Sequence, residues 1–128
     1  MSENLRKDAS DIFLRAVSAV DPATCIHRSV KKENNHFTIG NNVYDLDSYD
    51  NIYLISVGKA AVSQAKAIED IAGNQITDGI VLTKYGYATS GLVHSPVFEA
   101  GHPIPDNNGM QVTRKIKRIV EKAEKSDL

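Results

Sequence analysis

The run Ile52-Tyr53-Leu54-Ile55-Ser56-Val57 constrains the fold most, because it is apolar almost without interruption, ends in Gly58-Lys59 and passes directly into a helical pattern. Strands of this kind are covered on both faces by helices, so the run predicts a central strand of a parallel sheet. The helical pattern spans Lys59 to about Ala72, with Ala61, Ala65, Ile68 and Ala72 on one face and Gly73-Asn74 as its stop. Asp78 to Thr83 reads as a second buried strand, and residues 52–83 therefore form a βαβ unit. Pro96 to Glu99 is a short third strand. A last helix runs from Asp106 or Asn107 to about Lys125, with Met110, Thr113, Ile116, Ile119, Val120 and Ala123 as its inner stripe. The expected class is α/β: a three-layer, Rossmann-like domain with a largely parallel sheet flanked by helices.

Upstream, Leu5, Ala9, Ile12, Phe13, Ala16, Val17 and Val20 recur at helical spacing and predict an amphipathic helix from about residue 3 to residue 20. Asp21-Pro22 ends it and opens another, with Asp21 as cap and Pro22 at the first position, reaching about Val30. Lys31-Lys32-Glu33-Asn34-Asn35 reads as a solvated connector. His36–Ile39 and Val43–Leu46 flank the turn signal Gly40-Asn41-Asn42, which predicts a small hairpin near the N-terminus. The 128 residues suffice for one domain and one core, not for two lobes with a cleft between them.

Fifteen basic and sixteen acidic residues leave a net charge of −1, so no global field recruits nucleic acid or an anionic membrane. Cys25 is the single cysteine, which excludes an internal disulfide and any multi-cysteine metal site. The apolar runs are too short to span a bilayer, and the N-terminal residues lack a signal-peptide core, so a cytoplasmic location is expected.

Ligands of open α/β sheets collect outside the carboxyl ends of the strands, and two lysines are expected there. Lys59 follows the first strand at the start of a helix, where free N–H groups favour a phosphate or carboxylate. Lys84 follows the second strand and lies near Lys59 if the two strands are neighbours. Gly58-Lys59 is not a Walker A loop, since Tyr53 and Ala60 stand where that motif needs Gly and Ser or Thr. It is not a dinucleotide fingerprint either. An exposed lysine after a tight glycine turn is an equally economical account of these residues.

The segment Gly101-His102-Pro103-Ile104-Pro105-Asp106 is stiffened by two prolines and holds His102, which can donate or accept a hydrogen bond near neutral pH. Asp106 is read first as the cap of the last helix. His27, His36 and His94 lack metal-ligand spacing, and no metal site is expected. Arg114, Lys115, Lys117, Arg118, Lys122 and Lys125, interleaved with Glu121 and Glu124, are read as a solvated helix face without function.

Three segments taken in order carry a resemblance: Val57-Gly58-Lys59-Ala60-Ala61, Asp78-Gly79-Ile80-Val81-Leu82-Thr83-Lys84-Tyr85-Gly86, and Glu99-Ala100-Gly101-His102-Pro103-Ile104-Pro105-Asp106. Together they resemble the N-terminal domain of the glycerate 2-kinase family, whose C-terminal part carries the MOFRL domain and whose members are often labelled hydroxypyruvate reductases. The resemblance covers most of the chain. It implies a kinase that transfers phosphate from ATP to the 2-hydroxyl of D-glycerate with Mg2+, at a site between two α/β domains. It also implies Lys59 as the catalytic lysine, with Gly58, Lys84, Gly101, His102 and Asp106 binding substrate. Tyr87 and Asn107 depart from the family's pattern, so the resemblance assigns them no role.

The family's chains are much longer, so the expected match is to the first lobe alone, with the C-terminal lobe absent. Such a lobe is expected to have negligible kinase activity, and its open face to be covered by a second copy in a homodimer. The alternative class is a non-catalytic α/β module that binds a small anion or a partner domain. A nicotinamide-dependent reductase would need the missing glycine fingerprint.

Overall fold

The computed structural model describes residues 3–128. Four helices (α1 Glu3–Ala19, α2 Pro22–Ser29, α3 Ala61–Ala72, α4 Asn107–Lys122) accompany six strands (β1 Val30–Glu33, β2 His36–Ile39, β3 Asn42–Asp45, β4 Tyr53–Val57, β5 Asp78–Lys84, β6 Val97–Ala100). The strands form two sheets, an antiparallel meander in the order β1-β2-β3 and a parallel sheet in the order β4-β5-β6.

The parallel sheet is the middle of three layers. On β5 the side chains alternate: Val81 packs against Ala61, Val62 and Ala65 of α3, while Ile80 and Leu82 pack with Val112, Ile116 and Ile119 of α4. Ala61, Ala65 and Val81 have no exposed surface. Small side chains let α3 approach the sheet closely, so a larger residue at either alanine would push the helix away.

The middle of the sheet belongs to β5, not to the 52–57 run. That run forms β4, which has β5 on one side only; Ile55 and Val57 on its outer face are exposed, while Ser56 is buried toward α3. Its apolar outer face thus reflects a surface this chain leaves uncovered. Ser126 to Leu128 lie beside the start of β4, where Leu128 O accepts from Tyr53 N at 2.8 Å and Leu128 N donates to Asn51 O at 2.9 Å.

Residues 31–33, read as connector, belong to β1 and pair with β2 around a turn in which Asn34 takes φ 54°. Their alternation was hidden because three of the four β1 side chains are exposed. Phe37 of this meander joins Leu46, Ala72 and Ile76 in a second core cluster that ties the small sheet to the end of α3. Asp21 caps α2 as expected, accepting from Thr24 N and Thr24 Oγ1, both at 2.9 Å. The Thr24 N–H holds its carboxyl below the ordinary value.

Helix α1 matches its predicted span but buries none of its residues, and Leu5, Ile12, Phe13 and Val17 stay exposed. The stripe expected on α4 is also rotated. Val112, Ile116 and Ile119 face the sheet, whereas Met110 and Val120 are exposed.

Candidate functional site

Gly58 makes the turn out of β4 possible. Its φ of 123° is a conformation that L side chains rarely adopt, and it lets Gly58 N donate to Leu82 O at 2.9 Å while the chain swings into α3. Ser56 Oγ donates to Ala61 O at 2.9 Å and pins the far side of the turn. Lys59 therefore stands in the turn just ahead of α3, exposed, with no side-chain cap occupying the helix start. Because β4 and β5 are neighbours, Lys84 leaves the same edge of the sheet. Its ammonium lies 3.9 Å from the centre of the Tyr87 ring, a cation–π contact that limits where it can swing.

The Gly101–Asp106 loop follows β6 at that edge, with a cis peptide between His102 and Pro103. Its far end is fixed by Asp106, which caps α4: Gly109 N donates to Oδ1 at 2.9 Å and Tyr85 Oη donates to Oδ2 at 2.6 Å. Asn108 Nδ2 in turn donates to Tyr85 Oη at 2.8 Å. The Tyr85 hydroxyl, followed by the Gly109 N–H, holds the Asp106 carboxyl below its ordinary value, and the same bond raises the Tyr85 phenol. An Asp106 so engaged is a weak proton acceptor. Glu99 performs a similar task one strand back, accepting from Ala88 N at 2.9 Å and Tyr87 N at 3.0 Å, and the Ala88 N–H is the main cause of its lowered pKa.

These elements border an open cavity of about 590 Å3 at the carboxyl end of the parallel sheet. Of the six residues singled out from the sequence, Gly58, Lys59, Lys84, Gly101 and His102 line it, and Asp106 does not. Among the described residues three cationic side chains border the space, the two lysines and Arg114, and no carboxylate does. Much of the remaining wall is apolar, from Val57, Leu82, Pro103, Pro105 and Met110. Charges of one sign beside low-dielectric walls concentrate field and favour an anion.

Two contributors escaped the sequence reading. Thr83 borders the cavity, is 3% exposed, and among the described residues its hydroxyl has no hydrogen-bond partner. A buried hydroxyl left unpaired costs about 1–3 kcal/mol, a cost that a polar ligand group could offset. Arg114 had been grouped with the solvated basic face. A helix that starts at the Asp106 cap must spend its first two turns beside the loop, and that was the available signal.

Among the described residues no three His, Cys, Asp or Glu side chains converge into a metal-ligand group, and no helix is long and apolar enough to cross a membrane. The histidines outside the loop, His27, His36 and His94, do not border the cavity.

The fold and site define an α/β domain with a cation-bordered cavity at the carboxyl edge of a parallel sheet. Residues 8–128 match the family model described as "Domain of unknown function (DUF4147)", and the chain belongs to that family, homologous to the N-terminal domain of glycerate-kinase/MOFRL proteins. It is 32% identical to a D-glycerate 2-kinase of Thermotoga maritima, over 98% of this chain and 27% of the relative. A glycerate 2-kinase of Pyrococcus horikoshii is 34% identical over 94% of this chain and 27% of its own length. A crystal structure of a Pyrococcus horikoshii protein superposes with a TM-score of 0.83 at 31% identity, covering 99% of this chain and 28% of that one. The chain thus spans about a quarter of the length of the curated relatives it matches.

Proposed function

We propose that this chain is the first lobe of an ATP-dependent glycerate 2-kinase and that the cavity receives the anionic substrate. The observation that carries the reading is the convergence of Lys59, Lys84 and Arg114 on a carboxylate-free cavity at the sheet's carboxyl edge, in a chain homologous to glycerate kinases. Phosphoryl transfer depends mainly on positioning and on positive charge around the phosphoryl oxygens. Lys59 supplies that charge from the glycine turn. His102, held by the proline-stiffened loop, orients the attacking hydroxyl, and Asp106 acts by fixing the loop rather than by taking a proton.

The cationic lining fits an anionic group of ATP or of glycerate. It does not fit a protein-held Mg2+, which usually takes one or two carboxylates beside waters and substrate phosphates, and the described lining has none. Among the described residues the cavity offers the metal no ligand set from this lobe.

The test is a chimera in which these 128 residues replace the matching quarter of the Thermotoga D-glycerate 2-kinase, assayed for ATP-dependent phosphorylation of D-glycerate. Turnover is expected, and Lys59→Ala should reduce it by on the order of 100-fold, as for loss of one transition-state charge contact. Near-normal turnover by the Lys59→Ala chimera removes Lys59 from the mechanism. The isolated chain is expected to bind anions without turnover.

The alternative class, a module that binds a small anion and catalyses nothing, shares the same cavity. It would be favoured by a soluble, folded chimera that binds phosphate but transfers none.

A further inference from the structure

Arg114 is the third cation that borders the cavity, and it comes from α4 rather than from a strand end. On α4 the residues Val112, Ile116 and Ile119 form the stripe against the sheet. Met110, Thr113 and Arg114, at i, i+3 and i+4, share a neighbouring stripe, and all three line the cavity. The guanidinium makes no ion pair and no hydrogen bond among the described residues, where the one ion pair on this helix joins Lys117 to Glu121 at 3.4 Å. Arg114 is exposed at the border of this space, and its five donors have no protein partner among the described residues.

The three cations differ in kind. Lys59 stands at the start of α3, where free N–H groups suit a phosphoryl group, and Lys84 is engaged with the Tyr87 ring. Both are point charges. A guanidinium is a planar fork that matches two oxygens side by side, as a carboxylate or a phosphate presents them, so with a phosphoryl group at the α3 start the carboxylate is the group left for it. It reaches the cavity from α4, in the layer opposite α3, so the two ends of a small hydroxy acid can be held from different sides.

We infer that Arg114 is a specificity-determining residue that grips the carboxylate of a small 2-hydroxy acid in this cavity, leaving Lys59 for the phosphoryl group. The inference rests on the reading of the cavity as the substrate site.

The experiment is a calorimetric titration of the 128-residue chain with D-glycerate, glycerol and inorganic phosphate, for the wild type and for Arg114→Gln, Arg114→Lys, Lys59→Ala and Arg118→Gln. Thermal melts confirm that each variant folds. The wild type is expected to bind D-glycerate and phosphate but not glycerol. Arg114→Gln should weaken D-glycerate by about tenfold or more, as for loss of a charge-assisted bidentate contact, with phosphate little changed. Arg114→Lys should recover only part of the loss, because it restores charge without the fork. Lys59→Ala should show the reverse preference, and Arg118→Gln, outside the cavity, should bind as the wild type does. Wild-type binding of both anions with Arg114→Gln unaffected, or weakened equally for both, overturns the assignment of Arg114 and leaves the site standing. A wild type that binds neither anion overturns the site reading and this inference together.

Discussion

Gly101 is where loop geometry and stability meet. A Cβ built on it would lie 2.5 Å from the Ile104 carbonyl oxygen and 3.2 Å from Asp106 Cγ. Carbon–oxygen contacts normally begin near ~3.3 Å, so about 0.8 Å must be opened against backbone, not against a flexible side-chain end. Overpacking of this kind costs about 1–3 kcal/mol, offset by about 0.4–1 kcal/mol from the stiffer unfolded chain. The net expectation for Gly101→Ala is a loss of about 1–2 kcal/mol, or a Tm lower by about 4–8 °C in a domain of this size. Gly109→Ala is the control, because its Cβ would meet Ala100 Cβ of β6 at 3.4 Å, at the edge of ordinary van der Waals contact. It should leave stability unchanged or raise it by up to about 1 kcal/mol. Thermal and urea melts followed by circular dichroism separate the two, and a Gly101→Ala protein as stable as wild type refutes the argument.

Val81→Ala removes two methyl groups from a position with no exposed surface and should cost about 2–3 kcal/mol, read from urea midpoints at constant slope. Glu69, 8% exposed, accepts from Val93 N at 2.7 Å and His94 N at 3.2 Å; Glu69→Ala should speed amide exchange at those two residues before it affects β5. Asp106, Glu99, Asp21 and Asp127 all have lowered pKa values, so the stability each contributes is present above the ordinary carboxylate range and lost as pH falls through its folded value. Asp106→Asn keeps a capping side chain and should flatten that acid limb in melts between neutral and strongly acidic pH. The exposed apolar face of α1 should make the isolated chain self-associate as a homodimer, and light scattering that finds a monomer at high concentration refutes this.

The parts of the fold legible in the sequence are those with a local physical signature. The Asp21-Pro22 helix start, the Gly73 stop with φ 60° and the strand Asp78–Lys84 were readable because capping chemistry and continuous apolar character act over a few residues. The edge position of β4 was not, because hydrophobicity records that a face is apolar and not which neighbour covers it. The strand Val30–Glu33 escaped because lysines on an exposed edge look like those of a loop. In the site, Lys59 and the loop after β6 were visible from their place at strand ends. Arg114 was hidden among five other basic residues, and only the rotation of α4 set by Val112, Ile116 and Ile119 turns it to the cavity.

The most direct test of an anion site between the β4–α3 turn and the loop after β6 is a map of backbone amide shifts as the chain is titrated with inorganic phosphate. Saturable shifts concentrated at Gly58, Lys59, Gly101 and His102 are expected, abolished by Lys59→Ala. Shifts that fail to saturate, or that gather on the outer basic face at Lys117, Arg118 and Lys122, would contradict it.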